Sequence, residues 1–123
     1  MRDRATVLCV KDGKFLAVQE KGQTHFSLPG GGIHKGEASI VAALRELKEE
    51  TGLGAISITY LTSFPGRRGL HKVFTVIPSE VNTKRQHSEI SRIKWFDMES
   101  DITTDMFQGH VIRSIQAMRW MYG

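Results

Sequence analysis

Glu46, Glu49 and Glu50 lie close together in the run Arg45-Glu46-Leu47-Lys48-Glu49-Glu50-Thr51-Gly52-Leu53. On a helix of about 3.6 residues per turn they occupy one side, less than a third of the circumference apart. Like charges that close repel, each pair costing a helix roughly 0.2–0.5 kcal/mol. A divalent cation removes the cost, because hard metals such as Mg²⁺ bind carboxylate oxygens. The segment reads as a metal site.

A Glu-rich helix is more often a solvated acidic face, and two features set this one apart. It is preceded by Leu28-Pro29-Gly30-Gly31-Gly32, whose glycines let backbone approach a ligand closely. Its other face, Ile40, Ala43, Leu44 and Leu47, is apolar at helical spacing, which pins the helix to a core. A pinned helix beside an open backbone loop is how a rigid site is built.

The helix is expected from about Ser39, a plausible N-cap, to Thr51, with Gly52 as its left-handed cap. Upstream, Thr6–Val10 and Phe15–Val18 flank Asp12-Gly13, a hairpin signal. A short strand is expected at Phe26–Leu28. Downstream, Ile56–Phe64 and Leu70–Ile77 read as strands joined by Pro65-Gly66-Arg67-Arg68-Gly69, with Pro78 ending the second. Residues 80–91 read as a polar loop, Ile93–Asp97 as a strand. From about Asp105 to Tyr122, Val111, Ile112, Ile115, Met118 and Met121 recur at helical spacing, a packing helix. Strands and helices interleave as an α/β arrangement with mixed sheet pairing.

The 123 residues suit one domain, spanning 1–123, and 40% hydrophobic with 24% charged residues is ordinary for a globular chain. No long apolar run exists for a membrane span. Met1-Arg2-Asp3-Arg4 leads straight into an apolar strand, unlike a signal peptide. A single cysteine, Cys9, excludes an intrachain disulfide and is compatible with a reducing cytoplasm. The net charge of +4 favours polyanionic ligands such as nucleotides and equally suits weak nucleic-acid binding. The densest basic spots, Arg67-Arg68 and Lys84-Arg85, fall in expected loops, and no nucleic-acid motif accompanies them. Neither a membrane nor a specific nucleic acid is therefore expected as partner, and no feature sets an oligomeric state.

Residues Gly31 to Leu53 resemble the Nudix hydrolase signature: glycine, five residues, glutamate, seven residues, Arg-Glu, an aliphatic, any residue, Glu-Glu, any residue, glycine, an aliphatic. All nine specified positions agree, which chance gives on the order of once in a billion starting positions. Phe26-Ser27-Leu28-Pro29-Gly30 is similar to the usual lead-in, with phenylalanine where tryptophan is frequent. The resemblance implies a Nudix-type α/β/α sandwich with a mixed β-sheet. It also implies a nucleotide-type small molecule as partner, and hydrolysis, with Mg²⁺ or Mn²⁺, of a nucleoside diphosphate linked to another moiety. Glu46, Glu49 and Glu50 would coordinate metal, with the Gly30 carbonyl as a backbone ligand and Glu46 as an alternative base. Arg45 is placed to pair with Glu49 one turn on, or with Glu37 at the helix entrance, in structural support. Gly31, Gly36 and Gly52 would serve backbone conformation.

Two departures stand out. His34 replaces a frequent acid and reads as an exposed loop histidine. Many relatives also place a glutamate just before a strand carrying tryptophan. Trp95 is that landmark here. Arg92 and Lys94 hold the nearer positions, so Glu89, six residues before Trp95, is a candidate for that metal ligand or base, with Glu46 the alternative base. The compact chain is similar to MutT-type nucleoside triphosphate pyrophosphohydrolases. ADP-ribose, dinucleoside polyphosphates, capped RNA ends and catalytically silent nucleotide binding are the alternatives. Candidate base-stacking groups are Phe26, Phe64, Phe74 and Phe107, with His25 and His71; large rings more often fill interiors. Arg67 and Arg68 are candidates to clamp phosphate, against the commoner reading of solvated charge.

Overall fold

In the computed structural model, which describes residues 2–82 and 89–122, β1 (Arg4–Lys11) and β2 (Lys14–Glu20) form the expected hairpin. Its turn places Asp12 and Gly13 at φ 52° and 74°, the paired positive values that a two-residue hairpin requires. Next come β3 (Gly30–Gly32), α1 (Ser39–Thr51), β4 (Leu53–Pro65), β5 (Leu70–Asn82), β6 (Ile90–Asp97) and α2 (Gly109–Tyr122). The sheet order is β4-β5-β1-β2-β6, with β3 paired to β1. The β1–β5 pair is parallel and the others are antiparallel, so the sheet is mixed.

β1 alternates its side chains between two cores, as a strand buried on both faces must. Ala5, Val7 and Cys9 pack with Ala42, Ala43 and Leu47 of α1. Leu8 packs with Phe15, Phe26, Phe96 and Phe107 and with Val111 and Ile115 of α2. The helices therefore cover opposite faces, an α/β/α sandwich. Burial pushes the Cys9 thiol up to about 12, so it is an inert core residue. No helix among the described residues is long and apolar enough to cross a membrane.

The hairpin pairing of β1 and β2 is limited to Val10–Phe15 and Lys11–Lys14. Further back the strands part, and β3 fills the gap by pairing Arg4, Ala5 and Thr6 with Gly32, Gly31 and Gly30. The glycine segment is thus sheet backbone, where Phe26–Leu28 had been expected. Phe26 and Ser27 make only isolated bridges. A Cβ on Gly30 would lie 2.3 Å from the Ala5 carbonyl oxygen, so only glycine fits there.

Several boundaries differ from expectation. Ala38, without a side-chain cap hydrogen bond, is the N-cap of α1, and Ser39 is its first helical residue. At the other end Gly52, φ 79°, donates its N–H to the Lys48 carbonyl as expected. Ile40 and Leu44 are exposed, and Ala42, Ala43, Leu47 and Glu50 are the buried residues of α1. β4 begins at Leu53, earlier than expected. Pro78 lies inside β5, opposite Ala55 at an irregularity in the ladder. The parallel pairing with β1 already ends at Val76, so its missing N–H interrupts no ladder on that side. β5 also takes residues 80–82 from the expected loop, whereas Lys84 and Arg85 lie outside the described residues. α2 starts at Gly109 rather than near Asp105, and Met121 is exposed.

On α2, the ring of His110 stacks on His71 at 5.2 Å, and its Nε2 is buried without a partner. Burial, aided by the Arg4 charge, holds His110 down at about 3. A folded-state value below the unfolded one means that protons favour the unfolded chain. Stability is therefore lost as pH falls below the ordinary histidine value of about 6.5, by up to about 2 kcal/mol between about pH 7 and pH 5. Urea unfolding of His110→Leu and the parent at both pH values should show the smaller loss in the variant. Equal losses would refute the assignment.

Candidate functional site

The entrance to α1 is organised by an ion pair across eight residues. Arg45 donates from Nε to Glu37 Oε2 at 2.8 Å and from Nη2 to Glu37 Oε1 at 2.9 Å, a bidentate fork. Nη2 also donates to the Gly32 carbonyl at 3.2 Å, and Glu37 Oε1 accepts the His34 N–H at 3.0 Å. One guanidinium thereby ties the helix, its lead-in loop and β3 together. Nη1 reaches forward to Glu46 Oε1 at 2.8 Å and to Glu49 Oε2 at 3.5 Å. Both pairings expected of Arg45, with Glu37 and with Glu49, are present. Its hydrogen bonds hold the Glu37 carboxyl down at about 2. The His34 ring is exposed, 3.9 Å from Glu37.

Glu50 is the exceptional member of the acidic trio. It is only 4% exposed and faces β3. Gly30 donates its N–H to Glu50 Oε1 at 3.1 Å, whereas Oε2 is buried with no hydrogen-bond partner. Burial, with help from Glu46 and Glu20, pushes this carboxyl up to about 8, against the Gly30 hydrogen bond and the Arg4 charge. Beside it, a Cβ on Gly31 would meet Glu46 Oε1 at 2.5 Å. The missing side chain is what gives the Glu46 carboxylate its place.

Among the described residues, no three His, Cys, Asp or Glu side chains are gathered closely enough to hold a metal ion as they stand. Arg45 occupies Glu46 and Glu49. The donor set still fits a hard divalent cation: every side-chain donor is a carboxylate oxygen, and Glu50 Oε2 is an orphan that a cation would satisfy.

Other expected residues fall in different places. Phe26 is 7% exposed, its ring 4.9 Å from Phe96 in the α2-side core, so it fills the interior instead of a nucleotide site. Phe74 and Phe107 are core residues as well. Phe64 stacks on His71 at 5.1 Å, and His25 Nε2 lies 2.8 Å from Gln108 Nε2. Glu89 is exposed in the turn just before β6, its carbonyl accepting the Lys21 N–H. Trp95 pairs with Leu16 in the sheet. Arg67 and Arg68 are exposed and line a pocket that also contains Gly32.

Two residues were missed from sequence. Arg4 reaches Thr6 Oγ1 at 3.1 Å and the Leu28 carbonyl at 3.1 Å, and its charge acts on Glu50 and Glu46. Extending the period-two alternation of β1 back from Thr6 would have placed it. Glu20, at a β-bulge ending β2, acts electrostatically on Glu50; no local signal marks it.

The NUDIX domain family matches residues 1–115. An RNA pyrophosphohydrolase of Pelagibacter ubique is 31% identical over 135 residues, covering 89% of this chain and 85% of that protein. Several other curated relatives are matched over only about a third of their own length. Among solved structures, a MutT NUDIX hydrolase from Burkholderia pseudomallei superposes with a TM-score of 0.79 at 19% identity, covering 94% of this chain and 96% of that one. The Bacillus subtilis pyrophosphohydrolase BsRppH gives 0.75 at 20% identity, covering 98% and 83%. At such identities the structural likeness speaks to the fold alone. The chain belongs to the Nudix family, and with it to the hydrolases of phosphoric anhydrides.

The Arg45 fork makes a specific claim about stability. Glu37 has a depressed folded-state value, so its contribution is full above the ordinary carboxylate value and is lost as pH falls toward about 2. Glu37→Gln should be less stable than the parent near neutrality, with the gap narrowing from about pH 5 to about pH 3. Urea midpoints across that range measure it. A gap independent of pH would contradict the pairing.

Proposed function

We propose that the protein is a divalent-metal-dependent pyrophosphohydrolase that cleaves a nucleoside triphosphate to the monophosphate and pyrophosphate. Glu50, whose Oε1 accepts the Gly30 N–H while its buried Oε2 has no partner, is the observation that carries this reading. Glu46, Glu49 and Glu50 would hold Mg²⁺ or Mn²⁺, with the Gly30 carbonyl as a further ligand. The bound ion would neutralise phosphate oxygens and lower the pKa of a coordinated water. Arg45 fixes the Glu46 and Glu49 side chains, which limits the motion that positioning catalysis cannot tolerate. A water oxygen attacks one phosphorus, the bridging P–O bond breaks, and the leaving phosphate takes its electron pair. The proton passes to a carboxylate, Glu46 or Glu89. Arg67 and Arg68 bind phosphate oxygens.

A second reading is a 5′-triphosphate carried by RNA, favoured by the name of the Pelagibacter relative. The chemistry is the same and only the nucleoside side of the substrate is longer.

Nucleotides, nucleotide conjugates and 5′-triphosphorylated RNA, each with Mg²⁺ or Mn²⁺, form the test panel. Pyrophosphate plus monophosphate from a triphosphate is the expected outcome, and Glu49→Gln should lower turnover by at least roughly a hundredfold with the fold intact. Unchanged turnover in that variant removes Glu49 from the site, and absence of any product removes the enzyme.

A further inference from the structure

The sheet has two edges, and they are built differently. β6 closes one side and carries Arg92, Lys94 and Asp97, charges of the kind that keep an exposed edge from pairing with another strand. β4 closes the other side, and none of its 13 residues, Leu53–Pro65, is charged. Charged residues make up 24% of the chain as a whole, so an edge without any is unprotected. No strand among the described residues pairs with its outer side.

Bulges also protect edges, and β4 has them, but they bracket a regular window. The ladder with β5 slips between Ala55 and Ser57 and again between Tyr60 and Thr62. Between those slips Ser57, Ile58, Thr59 and Tyr60 pair in unbroken register with Ile77, Val76, Thr75 and Phe74. Thr59 turns its carbonyl toward β5, where the Thr75 hydroxyl donates to it at 3.3 Å. Main-chain groups along an antiparallel strand alternate in direction, so Ile58 and Tyr60 aim theirs away from β5, toward the open side.

The side chains around this window are apolar. Tyr60 is 53% exposed, and its ring lies 5.7 Å from that of Phe74, a residue of the α1-side core. Ile58 packs against the same core. Ile56, 71% exposed, stands at the first irregularity. Ile40, Val41 and Leu44 of α1 are exposed as well. Ile40 and Leu44 lie on the flank of α1 turned away from Glu46, which meets β3 at Gly31, and so toward β4. Single exposed apolar residues are ordinary, but a run of them beside an open, charge-free edge marks a contact surface.

We propose that the β4 edge pairs with the same edge of a second copy of this chain. A two-fold axis at Thr59 sets the two strands antiparallel and joins the sheets into one. Ile58 of each copy then stands opposite Tyr60 of the other, and the outward main-chain groups of both residues are satisfied. Charge selects a second copy over a different partner. The chain carries +4, which would draw an acidic partner to its basic residues and makes two copies repel over most approaches. At β4 two copies meet without like charges opposed. The window is also symmetric about Thr59, as a self-complementary contact requires. The α1 carboxylates and the β1–β3 ladder lie two strands in from β4 and stay open in the pair. The pairing depends on neither substrate nor metal.

Sedimentation velocity over roughly micromolar to hundreds of micromolar protein is the test. The parent should move from 13.8 kDa toward twice that mass with a midpoint in that range, as expected of a small interface. Thr59→Lys opposes two cations on the axis and should weaken the dimer at least about tenfold, with the far-ultraviolet circular dichroism of the parent. Ser91→Lys makes the same change on β6 and should dimerise like the parent. Cysteines report the register independently, since Cys9 is buried and does not compete. In Thr59→Cys the paired Cα atoms would lie about 4.5 Å apart, within disulfide reach, and mild oxidation should link the dimer. In Ser57→Cys they would lie more than about 12 Å apart and should stay unlinked. A dimer indifferent to Thr59→Lys, an equal loss in Ser91→Lys, or linkage through Ser57→Cys as ready as through Thr59→Cys overturns the assignment. A monomer at every concentration also overturns it, and leaves the edge to a strand of another protein.

Discussion

A carboxyl group taken out of water beside glycine backbone is the constraint around which this molecule is arranged. Ionising a buried carboxylate without a partner costs on the order of several kcal/mol. Glu50 nevertheless sits on the buried face of α1, where the neighbouring inward residues are Ala42, Ala43 and Leu47. What surrounds it softens the cost only in part: one backbone N–H from Gly30, and the charge of Arg4 beyond. One oxygen remains unsatisfied. Native structures rarely leave such groups orphaned, and a water or a cation is what satisfies a carboxylate oxygen in such a place.

The rest of the architecture follows from bringing glycine backbone to that carboxyl. β1 parts from β2 just beyond the hairpin, and a three-residue strand with no side chains enters the gap. Side chains there would collide with the Ala5 carbonyl at Gly30 and with the Glu46 carboxylate at Gly31. Arg45 then locks the arrangement by holding Glu37 and the Gly32 carbonyl on one side and Glu46 and Glu49 on the other. The two cores fix α1 and α2 on opposite faces, so the site stands on rigid elements. Beside Gly32, Arg2, Arg4, Arg67 and Arg68 line an open pocket, so basic side chains stand next to the strand that faces the α1 carboxylates.

Much of this was legible from residues 31–53. The Asp12-Gly13 hairpin, the Gly52 cap and both Arg45 pairings follow from local rules of turn chemistry and helical spacing, and the structure has them. Local rules failed where tertiary contacts decide. Ile40 and Leu44 look like core on a helical wheel but face outward, because α1 is rotated to bury Glu50. Ser39 resembles a cap, yet the helix start is fixed by the Glu37–Arg45 fork and needs no hydroxyl. Pro78 ends a strand only if both neighbours need its N–H, and β1 has already left. Phe26 follows the general tendency of large rings to fill interiors. Arg4 and Glu20 acquire meaning only once β1, β2 and β3 are adjacent, and strand pairing is not a local property.

The central claim, that the α1 carboxylates exist to hold a divalent cation, is tested most directly by titrating the purified protein with Mg²⁺ and Mn²⁺ by calorimetry. Saturable binding in the parent, weakened about tenfold or more in Glu50→Gln, is the predicted result. Absence of binding of either ion, with and without nucleotide present, would contradict the account.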